Sequence, residues 1–208
     1  MKKYIVSAAL VSALGLNLAY AGQKGGLFVG VTGGFNFNTV KQEASITNGS
    51  SSSKASSTES KGQYMYGARL GYIAALSPKN AFRLYADFNR GTFTVNNGGF
   101  SHMTAGGGLD FLHNFGNVFG LFIGGGYNYA FGDFVKSAKD PKRGSPYLNL
   151  GFSWTINERF RIELAGKYLF SSKYHDLKGS FSFGNITYNG SLSTSTSAQV
   201  GINLDFVF

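Results

Sequence analysis

Thr194-Ser-Thr-Ser-Ala-Gln-Val-Gly-Ile-Asn-Leu-Asp-Phe-Val-Phe208 decides the fold. Read back from Phe208, every second residue is apolar: Phe206, Leu204, Ile202, Val200 and Ala198. Asp205, Asn203, Gly201 and Gln199 lie between them. Alternation of period two describes a strand with one apolar and one polar face. A free apolar strand ending in an aromatic residue invites edge-to-edge aggregation in a soluble domain. A strand that closes a barrel within a membrane has no free edge.

Seven further segments carry the same alternation, spanning 27–40, 63–76, 81–94, 101–114, 119–133, 146–156 and 160–170. Each is at least as long as the roughly 9–11 residues a tilted membrane strand needs. Their connections alternate in length. Segments 41–62, 95–100, 134–145 and 171–193 are polar, and those at 41–62 and 171–193 are long. The connections at Ser77-Pro-Lys-Asn80, Phe115-Gly-Asn117 and Asn157-Glu-Arg159 are tight turns. Long outer loops and short periplasmic turns are the asymmetry of outer-membrane barrels, and they place both termini in the periplasm. The Ser-rich stretch 41–62 reads as a flexible loop with too little apolar content to bury a core.

Composition agrees. Hydrophobic residues make up 43% and mean hydropathy is −0.06, so a barrel's alternation hides from hydropathy windows that would detect a spanning helix. Cys is absent, which excludes disulfides and thiolate chemistry. The formal charge of +9 stays basic after loss of Lys2 and Lys3. Those two lysines, the apolar run 4–18 and Ala19-Tyr-Ala21 read as a signal peptide over 1–21, leaving one barrel domain over 22–208.

Aromatic residues gather near the ends of the outward faces and aliphatic residues between them, as two membrane interfaces require. The opposite faces carry Arg69, Arg83, Arg161 and Lys167 against Asp87, Asp110, Glu163 and Asp205. A lipocalin-like soluble barrel, the main rival, would place charges outside and apolar residues inside. The balanced charges read as a paired network filling the lumen, because unpaired buried charge is costly. A narrow ion-conducting lumen lined by both signs is the alternative.

The terminal Phe with alternating apolar residues resembles the C-terminal signature of bacterial outer-membrane barrels. That resemblance makes Phe206 and Phe208 the segment read by the barrel-assembly machinery. The whole pattern resembles small barrels of the opacity-protein and OmpA type. Phe82-Arg-Leu-Tyr-Ala-Asp-Phe88, Leu109-Asp-Phe-Leu-His-Asn-Phe115 and Ser145-Pro-Tyr-Leu-Asn-Leu-Gly-Phe152 are similar to the C-terminal barrel of the Helicobacter outer membrane protein family. The resemblance implies an all-β, eight-stranded antiparallel transmembrane barrel. It implies little about activity, because such barrels share a frame and differ in their loops.

Catalytic signals are weak. Gly106-Gly-Gly108 and Gly124-Gly-Gly126 lack the Lys-Ser/Thr and the following helix of a phosphate loop, and read instead as space for bulky lumen neighbours. His102 falls at a loop-strand junction, His113 beside a turn, and His175 next to Asp176 near Ser171 and Ser172. A Ser-His-Asp arrangement drawn from these lacks a nucleophile elbow. A lipid-modifying enzyme is the less favoured reading; no catalytic, cofactor or metal residues are assigned. Lys136, Lys139, Lys142 and Arg143 make one outer loop basic. That charge fits outer-membrane lipids and lipopolysaccharide phosphates, or a polyanionic host surface ligand. No nucleic-acid motif is present. The functional expectation is a non-enzymatic structural or adhesin-like surface protein, with a small pore as the alternative.

Overall fold

The computed structural model describes residues 24–95, 98–132, 143–157, 159–170 and 173–208. Nine strands form one antiparallel sheet: β1 (Gly26–Asn48), β2 (Ser51–Ala75), β3 (Asn80–Val95), β4 (Gly98–Asn114), β5 (Phe119–Phe131), β6 (Gly144–Asn157), β7 (Phe160–Leu169), β8 (Lys173–Phe183) and β9 (Ile186–Val207). Each pairs with its neighbour in the order β1-β2-β3-β4-β5-β6-β7-β9, and β9 returns to β1, closing a ring of eight. The C-terminal strand makes that closure: Phe28 faces Val207 and Phe35 faces Val200. Its last amide, on Phe208, donates to the Leu27 carbonyl at 2.9 Å.

The described ends of the chain therefore share a rim with the three tight turns. Side chains close two of those turns. Ser77 Oγ accepts the Asn80 amide at 3.0 Å, and Asn157 Oδ1 accepts the amides of Arg159 and Phe160 at 3.0 and 2.8 Å.

The exterior is apolar. Leu27, Val29, Leu70, Leu84, Leu109, Ile123, Leu150 and Ile202 are each exposed, whereas Arg83, Asp110, Glu163 and Asp205 are fully buried. That is the reverse of a soluble barrel, and only a hydrocarbon solvent stabilises it. Aromatic pairs mark the two rims. Phe119 contacts Trp154 (5.7 Å between ring centroids) and Phe115 (5.9 Å) at the turn end, and Phe206 meets Phe208 at 5.3 Å. Phe35–Tyr64 (4.8 Å) and Phe88–Phe131 (5.8 Å) lie at the far end. The chain is a transmembrane β-barrel.

Two expected loops are strands instead. Segment 41–62 continues β1 and β2 into a hairpin that pairs without interruption to Asn48 and Ser51. Segment 171–193 supplies β8, a ninth strand outside the ring, and the start of β9 from Ile186. Gly49 and Gly184, both at φ +57°, make the reversals, a conformation that glycine adopts at little cost. The Gly49 amide reaches the Asn185 carbonyl at 3.3 Å and ties the hairpin tips together. The upper halves thus form a four-stranded sheet, β2-β1-β9-β8, rising roughly 35 Å above the barrel at about 3.3 Å per residue. Low apolar content did not prevent strand formation, because each strand extends a ladder already nucleated in the barrel wall. The signal-peptide reading over 1–21 lies outside the described residues.

Candidate functional site

The lumen is filled in layers. At the turn end, Phe28, Ile73, Ala81, Leu112, Phe122 and Val207 pack into an apolar plug. Above it lies the charge layer. Arg69 donates from Nε to Asp205 Oδ1 at 2.7 Å and from Nη2 to Glu163 Oε2 at 2.6 Å, and also pairs with Asp205 Oδ2. Arg83 donates from Nη2 to Asp110 and from Nη1 to Glu163, each at 2.5 Å. Its guanidinium also sits 4.9 Å from the centre of the Phe122 ring, a cation–π contact between plug and charge layer. Arg161 is looser, 3.8 Å from Glu163.

Lys167 and Asp87 form a separate pair rather than joining that cluster. Tyr85 and Tyr147 bridge the two groups. Their hydroxyls lie 3.0 Å apart, and Asn149 donates at 3.1 Å to both the Tyr85 hydroxyl and the Asp110 carboxylate. All eight charged residues proposed for the lumen thus face inward, in one cluster of six and one pair.

Glycine makes this crowding possible. A Cβ at Gly108 would stand 2.5 Å from the Tyr147 hydroxyl and 2.7 Å from that of Tyr85. One at Gly124 would run into Asp110, and one at Gly30 into Asp205. The first and last glycine of each run, Gly106, Gly108, Gly124 and Gly126, are clearance for lumen side chains. Beside Asp87, Lys167 and Gln199 a cavity of about 20 Å³ remains, room for about one water. The apolar plug lies beneath it.

The sheet that rises beyond the barrel has two faces. Strand pairing continues the lumen-side face upward through Ala44, Ile46, Ala55, Leu192, Tyr188, Ile186, Phe181 and Phe183. Phe181 is 65% exposed and Phe183 76%. The other face, continuous with the lipid-facing wall, carries Thr39, Ser45, Thr47, Lys54, Ser56, Ser180, Thr187, Asn189 and Ser191. The apolar residues of the sheet therefore lie on the lumen-side face, among polar neighbours such as Gln42, Ser57, Glu59 and Lys61. On the polar face Lys41 binds Glu43 at 2.5 Å and holds its carboxyl below the usual range, first by that hydrogen bond and then by charge. Within the sheet, β8 pairs only with β9, and β2 above Met65 pairs only with β1, leaving two open edges among the described residues.

The remaining candidates scatter. His102 is not at a loop junction; it lies within β4 and is buried toward the lumen. His113 Nδ1 lies 2.8 Å from Asn80 Oδ1 at the turn rim. His175 stands on β8 opposite Thr194, while Ser171 and Ser172 lie outside the described residues. Among the described residues no group of three His, Cys, Asp or Glu could hold a metal. Of the basic loop, Lys136, Lys139 and Lys142 lie outside the described residues; the Arg143 carbonyl accepts the Ala130 amide at 2.8 Å, next to β6. Phe206 and Phe208 face outward at the turn rim.

The class this fold and lumen define is a small transmembrane β-barrel with a filled interior. Several solved structures align with it over most of their length. The outer membrane protein OprG from Pseudomonas aeruginosa is 18% identical, with 91% of this chain and 100% of that chain covered and a TM-score of 0.48. Neisserial surface protein A is 11% identical, covering 85% and 99%, with a TM-score of 0.40. Ail, the attachment invasion locus protein of Yersinia pestis, solved with the heparin analogue sucrose octasulfate, is 8% identical, covering 81% and 98%, with a TM-score of 0.36. No protein-family model and no curated protein matches the chain in sequence.

Proposed function

We propose that this protein is a non-enzymatic bacterial outer-membrane barrel that acts at the cell surface through its extracellular sheet. The export-type N-terminus and terminal Phe support that location, with both termini in the periplasm and the assembly machinery and outer-membrane lipids as partners. The carrying observation is the exposed apolar row Ile46, Tyr188, Phe181 and Phe183, with the half-buried Ile186 among them, beside the open edge of β8. Exposed apolar surface of this kind marks a binding face, and an unpaired strand edge offers backbone hydrogen bonds to an extended partner.

The test uses bacteria displaying the full chain or a Phe181→Ser/Phe183→Ser/Tyr188→Ser variant, applied to immobilised matrix proteins, glycosaminoglycans and lipid vesicles. The wild type should be retained on at least one surface and the variant at least about tenfold less, the effect of losing about 1.4 kcal/mol. Equal retention of both would return the protein to a structural role. Retention on glycosaminoglycan alone, unchanged in the variant, would transfer the role to the basic loop.

The plug and charge layer argue against the pore reading. Planar-bilayer recording of the wild type should show no reproducible unitary conductance; stable single-channel steps would reinstate it.

A further inference from the structure

The lipid-facing wall carries one charged side chain among the described residues between the turn rim and the level of Tyr64: Arg90 on β3. Inward residues on this strand alternate with Phe82, Leu84, Ala86 and Phe88 outside, and Arg90 continues the outward series. It stands opposite Tyr66 on β2 and Met103 on β4, two residues beyond Phe88 on its own strand and in register, through Met103, with Phe131. Among the described residues no carboxylate pairs with it.

Backbone pairing shapes the space above it. β2 and β3 part at Met65–Gly91, the residue after Arg90. Beyond that point β3 continues with β4 alone, and β2 climbs with β1 alone. Arg90 therefore lies at the base of a notch in the wall, with Tyr66, 62% exposed, across from it and Tyr64, 77% exposed and packed on Phe35, at the next outward position of β2.

An arginine at this height lays its methylene stem on the apolar wall and lifts its guanidinium into the headgroup layer. Aromatic rings fix that level at the interface. A cation without a protein counter-ion there is stabilised by an anion from the membrane, and a guanidinium fork matches the two oxygens of a phosphate. We propose that the Arg90 notch binds the phosphate of an outer-leaflet lipid headgroup, with the Tyr64 and Tyr66 hydroxyls at its side. This site rests on the barrel lying in a bilayer and is independent of what the extracellular sheet binds.

The test is native mass spectrometry of the full-length protein in mild detergent, titrated with phosphorylated lipid A, with lipid A stripped of its phosphates, and with inorganic phosphate as competitor. Wild type should retain the phosphorylated lipid, and Arg90→Gln should lower its occupancy about tenfold. Arg90→Lys, which keeps the charge but not the fork, should fall between them. The stripped lipid should bind all three equally weakly. Unchanged heat-dependent gel mobility shows that a variant has folded; if Arg90→Gln does not, Arg90→Lys carries the comparison. Equal occupancy in wild type and the folded variants would overturn the site. So would wild-type binding indifferent to the lipid's phosphates, or binding of inorganic phosphate without retention of lipid.

Discussion

Arg83→Ala is expected to destabilise the barrel by about 3–5 kcal/mol, the cost of leaving buried charge without its partner. Arg83 is fully buried and answers Asp110 and Glu163 directly and Asp205 at 3.8 Å, all three equally enclosed. Removing it leaves Asp110 with Asn149 as its remaining hydrogen-bond donor and Glu163 dependent on Arg69 and the more distant Arg161. Urea unfolding in lipid vesicles measures the loss, and Trp154, the one tryptophan of the chain, reports it from the lipid-facing rim. Adding Asp110→Ala should restore about 1 kcal/mol or more, because the stranded carboxylate is then gone. A single-variant loss below about 1 kcal/mol would mean the charge layer is hydrated rather than sealed.

Phe28→Ala should cost a similar amount, about 3–5 kcal/mol, for a different reason. Its ring is 1% exposed in the apolar plug and lies beneath both central guanidiniums, 5.6 Å from Arg69 and 5.9 Å from Arg83. Truncation opens a cavity and removes a surface on which the cations rest. The same vesicle unfolding experiment reads it, and a loss under about 1 kcal/mol would show that the plug collapses to fill the gap. The two variants should be less than additive, because Phe28 and Arg83 touch.

The barrel was legible in the chain because each wall strand separates two solvents. Hydrocarbon selects Leu, Ile, Phe and Tyr on one side, and the crowded lumen selects glycine, amides and charge on the other. Period-two alternation records that separation residue by residue, so the inward set from Arg69 to Asp205 could be named before any contact was known. The sheet beyond the barrel is not legible in the same way, because both its faces carry polar residues and neither is selected strongly. Its signals were present but local: Asn48-Gly49 and Gly184-Asn185 are hairpin-turn dipeptides, and Leu177 to Leu192 alternates on both sides of the second. Ser richness by itself reads as flexibility, although a serine strand is stable when its neighbours are already fixed.

Membrane character, inward and outward assignment, the closing role of the C-terminal strand and the balance of lumen charge were determined by the sequence alone, since each follows from which solvent a side chain meets. Only the tertiary structure decided which carboxylate each arginine answers, that Lys167 and Asp87 stand apart, that the lumen is plugged, and that β2 leaves β3 just above Arg90. Those depend on strand register and barrel shear, which bring residues far apart in sequence to the same height, and no local pattern encodes that height.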